Sequence, residues 1–273
     1  LDMQRAITVG SVIMSGTSPA ISNSTGASSL VVSGTSTLAG SITTSGLQTF
    51  TGAVSLAGDL TLTSTNSVLT LAAVTGAGYN LTTSSGSGNQ SFAGITGLGT
   101  LSITSSGAMS QTGAIATNSL KLVGGSHTFN SANSIDTLAA SSVVSLNLSN
   151  NANLIVGSVG LVNGLSGSGA ITLNVTGDLS INQNISISGA ANAALNATGT
   201  FTITAGAAVT MSIGGGGTSG SLTINANGTL TTSASSTIAM SGTTTLSGNG
   251  AYTRLRVHQL ADPPAATLDA RNY

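Results

Sequence analysis

Five acidic or basic side chains stand between Ala6 and Tyr252: Asp59, Lys121, His127, Asp136 and Asp178. Carboxylates on a β-helical scaffold can cleave polysaccharides, so the three aspartates are the first residues to weigh as catalytic acids and bases. Such a site needs a second carboxylate at about 5–9.5 Å, or a Lys or Arg beside the acid. None of the three has such a neighbour in sequence. Asp59 and Asp178 instead occupy the same place in a repeated phrase, Gly58-Asp59-Leu60-Thr61-Leu62 and Gly177-Asp178-Leu179-Ser180-Ile181. There a short carboxylate caps the turn after a glycine by hydrogen-bonding local backbone.

Lys121 and His127 are close in sequence, but a metal needs several His, Cys, Asp or Glu ligands. The chain has no Cys, and its only other histidine is His258. Both residues read as solvent-facing positions of a repeat. Calcium is no better served, because the acidic nonapeptide repeats of calcium-binding β-rolls are missing. Thr61/Thr63, Thr200/Thr202/Thr204 and Thr229/Thr231 form Thr-x-Thr pairs that could order ice, or serve a glycan-binding module, if they shared one flat face. They do not recur at constant spacing along the chain, and a plain solvent face is expected. Sequons such as Asn80-Leu81-Thr82 and Asn174-Val175-Thr176 are expected by chance in this composition. No catalytic residue, cofactor or metal ligand is assigned, and the protein is expected not to be an enzyme.

What holds these residues is a chain with 4% charged residues, where an ordinary soluble domain has about 25%. Disordered segments are also unusual in composition, yet they lack apolar material, and here 40% of residues are hydrophobic. Only 3% are aromatic, so the core is expected to be filled by Leu, Ile, Val and Ala in a narrow space. A net charge of −1 offers no electrostatic footprint for nucleic acid. No apolar run reaches the ~18–20 residues that span a bilayer as a helix. With no charged leader ahead of an apolar run after Leu1, a mature or excised form is expected.

Aliphatic residues alternate with Thr, Ser or Asn in short bursts. Examples are Leu60-Thr61-Leu62-Thr63, Leu101-Ser102-Ile103-Thr104, Leu120-Lys121-Leu122, Ile171-Thr172-Leu173-Asn174-Val175, Phe201-Thr202-Ile203 and Leu222-Thr223-Ile224-Asn225. Period-two alternation places one set of side chains on a buried face and the other outside. Between bursts stand Gly124-Gly125, Asn150-Asn151, Asn163-Gly164, Asn227-Gly228 and Asn249-Gly250, residues that tolerate the positive φ of tight corners. The sequence predicts an all-β chain with essentially no helix.

Among all-β architectures, a right-handed parallel β-helix, or β-solenoid, accounts best for the missing charge. Like residues stack on like, so a repeated charge would repel itself from coil to coil, whereas Thr, Ser and Asn ladders can hydrogen-bond. At ~20 residues per coil, roughly a dozen coils are expected up to residue 250. Beyond it, residues 251–273 form a charged, proline-containing tail. In it Thr253-Arg254-Leu255-Arg256-Val257-His258-Gln259-Leu260 still alternates. Arg254, Leu255, Arg256, Val257, His258 and Leu260 are the candidate docking residues: the strand either blocks the edge of the last coil or adds to the next copy.

The passage Gly107-Ala108-Met109-Ser110-Gln111-Thr112-Gly113-Ala114-Ile115, followed by Asn118-Ser119-Leu120-Lys121-Leu122, resembles the β-helical repeats of filamentous-haemagglutinin-like exoproteins. So do Ala132-Asn133-Ser134-Ile135-Asp136-Thr137-Leu138 and the two Gly-Asp-Leu phrases. The likeness runs from about Gly52 to Gly189. The Asn-Pro-Asn-Gly element typical of that family's secretion domain does not occur. The resemblance implies a secreted or cell-surface protein of a Gram-negative bacterium, with a role in adhesion or matrix building. Its expected partners are other copies, end to end, and a host or neighbouring-cell surface or glycan.

Overall fold

The structure, a computed structural model, describes residues 1–212 apart from 17, 24, 25, 189–191 and 205. Beyond 212 it describes the strand residues 222–226, 230–232, 237–240, 244–248, 252, 253, 257–259, 267 and 268. Among these there is no helix, hence none long and apolar enough to cross a membrane. Strands stack in parallel register into coils, about 10 in all, and form two compact units, Leu1–Ser134 and Ile135–Tyr273, each built as a β-solenoid.

In the first unit each full coil contributes to three ladders. One stacks Ile7–Val9, Leu30–Val32 and Gln48–Phe50, then continues through Leu69, Gln90, Met109 and His127. A second stacks Ser36, Val54, Val74, Ile95 and Ile115. The third stacks Ile21, Ile42, Leu62, Thr83, Ile103 and Leu122. Along each strand the period-two pattern becomes burial: Leu60, Leu62 and Ser64 are inside, while Thr61 is exposed and Thr63 partly so.

The second unit repeats this plan. Ile171–Val175, Ala193–Ala197, Leu222–Ala226 and Thr244–Gly248 form one ladder. Leu154–Val156, Leu179–Ile181, Phe201–Ile203 and Leu230–Thr232 form another, and Leu165–Gly167, Ile185–Ser188, Ala208–Ser212 and Thr237–Met240 the third. The coil count falls short of a dozen because coils are unequal. The step from Leu154 to its partner Leu179 carries an antiparallel hairpin, Ser158–Val159 with Val162–Asn163, and Ala193 finds its partner only at Leu222.

Parallel register continues past residue 250: Val257–Gln259 pairs with Thr237–Met240, and Thr267–Leu268 with Thr244–Gly248. Val257 and His258 thus stand opposite Ile238 and Ala239. Arg254, Leu255, Arg256 and Leu260 lie outside the described residues.

The interior differs from the expected aliphatic filling, because Phe50, Phe92, Phe129 and Phe201 are all fully buried, as are polar residues such as Gln48, Gln90 and Asn133. Phe50 and Phe92 are separated in their column by Leu71. Coils lie only ~4.8 Å apart, so alternating ring and aliphatic residues fills a narrow core without crowding ring on ring.

Close stacking also fixes backbone positions. Gly40 has φ 75° and interrupts the register of Ser36–Thr44 against Val54–Ser64, and a Cβ there would overlap the Pro19 carbonyl of the preceding coil. Gly40→Ala combines left-handed strain with a backbone clash, so a loss of about 2–4 kcal/mol is expected, read as a lower urea midpoint. A change within about 0.5 kcal/mol would show that the corner relaxes freely.

Candidate functional site

The aspartates act as clamps between coils. Asp59 accepts the backbone N–H of Asn80 at 2.9 Å and its Nδ2–H at 3.1 Å. Asp178 accepts the N–H of Thr200 at 2.7 Å, while its own N–H donates to Asn153 Oδ1 at 2.9 Å. Asn66, Asn89 and Asn184 do the same for Ser87, Ala108 and Ala208. Each acceptor reaches the following coil, where the sequence suggested a cap on the local turn. A corner N–H has no partner within its own coil, so a short carbonyl or carboxylate one coil earlier satisfies it.

Asp59 belongs to the first unit, Asp136 and Asp178 to the second. Asp136 is exposed, and the coil carrying Asn153 lies between it and Asp178, which separates them by roughly 10 Å along the stack. Among the described residues of the second unit there is no Lys or Arg, and among all described residues no group of three or more His, Cys, Asp or Glu could hold a metal.

His127 departs from the sequence expectation. Read as solvent-facing, it is 1% exposed, inside the first unit. Its Nε2 lies 2.6 Å from Gly124 O, and its ring stacks against Phe129 with centroids 6.1 Å apart. Burial pushes its pKa below the ordinary value of 6.5 and outweighs the hydrogen bond to the Gly124 carbonyl, which raises it, and the neutral ring donates from Nε2. Nδ1 is buried without a partner.

The cause lies in the inward column, which runs Leu30, Gln48, Leu69, Gln90, Met109, His127. Gln48 Nε2 donates to Thr63 O at 2.7 Å, and Gln90 Nε2 to Ser85 Oγ at 3.1 Å and Thr104 O at 3.2 Å. In those coils a buried hydroxyl also binds a corner carbonyl, as Thr44 binds Gly46 O and Ser85 binds Gly88 O. Gly124 has no hydroxyl, and the imidazole hydrogen-bonds the Gly124 carbonyl itself. The signal was in the sequence as Gln48-Thr49-Phe50, Gln90-Ser91-Phe92 and His127-Thr128-Phe129.

Lys121 remains partly exposed and stacks on a column that runs Ser41, Thr61, Thr82 and Ser102, of which Ser102 is buried. Beside it Thr43, Thr63, Ser84 and Thr104 stack in the same order. Hydroxyl pairs thus recur once per coil over four coils, a regularity that chain spacing hid because the partners of Thr61 and Thr63 are partly serines. In the second unit the outer column carries Asn174 and Asn196, joined Nδ2 to Oδ1 at 2.8 Å.

At the edge of the hydroxyl columns lies a cleft of about 440 Å³ whose lining includes Pro19, Ala39, Gly40, Ala57, Gly58 and Asp59. Tyr79, next to Asn80 in the chain, is 40% exposed and was not singled out from the sequence. Its signal was its isolation: it is the one tyrosine before residue 252. Comparison with family models, curated proteins and solved structures finds no match to this chain. Chemically, the described surface offers repeated neutral hydroxyl and amide groups and, at Asp59, a carboxylate-bearing cleft.

Proposed function

We propose that the protein is a non-enzymatic, extracellular structural or adhesive β-solenoid, a surface rod or head-to-tail filament subunit akin to the filamentous-haemagglutinin-like exoproteins of Gram-negative bacteria. The observation that carries this reading is the use of the acidic side chains: Asp59 and Asp178 hold one coil to the next, while the outer columns repeat neutral Ser, Thr and Asn. Backbone ladders along the stack resist bending, and a neutral surface limits nonspecific electrostatic binding. Self-association end to end is the expected partner mode, because a parallel coil edge is what a coil of another copy can extend.

Electron microscopy of the secreted material tests this directly. Continuous fibres are expected for a filament subunit, and short free rods for a stalk. Deleting residues 252–273, which include Arg254, Arg256 and His258, is expected to abolish linear assemblies. Unchanged filaments would exclude docking through the tail.

A further inference from the structure

We infer that the paired hydroxyl columns of the first unit are an ice-binding face, a function separate from the structural role proposed above. The pairs Ser41/Thr43, Thr61/Thr63, Thr82/Ser84 and Ser102/Thr104 lie in four successive coils and meet residue on residue. No bulge interrupts the register from one pair to the next. They form an array two hydroxyls wide, bounded by Ala20 at one end and Lys121 at the other. Thr-x-Thr spacing along the chain concealed it, because serines complete the columns.

The spacing points to the ligand. Partners in neighbouring coils are ~4.8 Å apart, and alternate residues of one strand are ~6.6–6.8 Å apart. Both distances are close to the repeats of water oxygens on a prism face of ice. Hydroxyls held at such intervals keep their waters where a growing crystal can share them, and the backbone ladders fix the columns before contact is made. Each threonine also places a methyl group beside its hydroxyl, which favours an ordered water layer over it. No charged residue belongs to the array, so no tightly held ionic hydration shell competes with the ice lattice.

Two further observations distinguish this face from ordinary solvated strands. Among the described residues, none of the eight hydroxyls hydrogen-bonds another protein group, whereas the stacked Asn174 and Asn196 of the second unit bond each other. Seven of the eight residues are partly or fully exposed. Ser102 is the exception: it is 5% exposed, and its Oγ is buried with no protein partner. Leu101 and Ile103 point into the core, so Ser102 lies on the array side of its strand. Its hydrogen bond has to come from outside the chain, and a water in line with the row supplies it. The first ladder offers a contrast. Thr49, Thr70, Ser91, Ser110 and Thr128 stack there too, but Ala72 and Ala93 stand two residues beyond Thr70 and Ser91, so that column is single.

The test uses the purified full chain, a nanolitre osmometer, and fluorescently labelled protein presented to a growing ice hemisphere. Thermal hysteresis with faceted crystals, and incorporation of the label into the ice, are expected for the unaltered chain. Thr63→Lys and Thr82→Lys each put a strongly hydrated ammonium and a long stem over neighbouring hydroxyls, and each should abolish both signals. Thr70→Lys, on the single column, should match the unaltered chain. Matching thermal unfolding establishes that each variant is folded. No hysteresis from the folded chain, full activity in either array variant, or an equal loss from Thr70→Lys would each overturn the face. None of these outcomes bears on filament formation, which microscopy and tail deletion judge separately.

Discussion

Asn133→Ala is expected to lower stability by about 3–5 kcal/mol, the largest loss from any single side chain considered. Asn133 is fully buried. Its Oδ1 accepts the Ile115 N–H at 2.8 Å and the Gln111 Nε2–H at 2.9 Å. Its Nδ2 donates to Phe129 O at 3.1 Å and Ser131 O at 2.9 Å. Gln111 keeps its bond to Gly113 O, but the buried Ile115 N–H and the two carbonyls lose a partner. A buried polar group left unsatisfied costs about 1–3 kcal/mol, and water has little access to replace the amide.

Solenoids unfold locally as well as globally, so a single melting temperature understates such a change. Hydrogen exchange at the Ile115 amide, together with the urea midpoint, is the appropriate measurement. Unchanged protection at Ile115, or a loss under about 1 kcal/mol, would show that the corner repacks without Asn133. Asn150 plays the same part within the second unit. It accepts the Ile135 N–H at 2.8 Å and donates to Ile135 O at 3.0 Å and Ala152 O at 2.9 Å.

Acidification is expected to destabilise the first unit through His127. The folded state holds the ring neutral, with its pKa pushed down by burial, while the unfolded chain titrates near 6.5. Above 6.5 the ring is neutral in both states and contributes no pH dependence. As pH falls below 6.5 the unfolded chain binds the proton first, and stability is lost until the folded state protonates as well. The slope in that window is at most about 1.4 kcal/mol per pH unit. No charged group figures among the causes of the shift, so salt should change it little.

His127→Gln puts in place the residue that Gln48 and Gln90 supply at the same inward position. Urea midpoints of the two proteins between pH 7.5 and about 5 isolate the histidine, since the rest of the chain is common to both. The unaltered protein should lose stability over that range while the Gln variant stays nearly flat. Parallel curves would mean that His127 is protonated in place, or accessible to water, in the folded state.

Both predictions concern residues whose roles the sequence left hidden. Asn133 sat within a phrase that resembles a family repeat, yet nothing local marks it as internal, because Asn is common at corners and on outer faces of the same chain. Its burial depends on which corner the coil turns, and that follows from the register of Ile115 on Ile95. His127 was read as exposed because the usual prior puts polar residues outside. The stacking of Gln48, Gln90 and His127 in one column reverses that, and the recurring phrase of a Gln or His two residues before Phe was its trace in the sequence. The stacked hydroxyl pairs, the cleft beside Asp59 and the exposure of Tyr79 likewise join residues from different coils.

The sequence by itself determined the fold class, and it marked Asp59 and Asp178 as equivalent corner residues, while the structure decided that each binds the following coil. Period-two alternation is a property of neighbouring residues, and it separates inside from outside wherever a strand forms. Repeated Gly-Asp-Leu phrases mark equivalent corners without knowledge of what lies above them. Near-absence of charge is a property of composition that stacked coils require, because each side chain meets its counterpart ~4.8 Å away. What tertiary structure decided was which residues share a column. Coil lengths are unequal, as the steps to Leu179 and Leu222 show, so partners cannot be counted along the chain. Register is set by the summed fit of core side chains and corner hydrogen bonds over whole coils, and one residue's identity does not fix it.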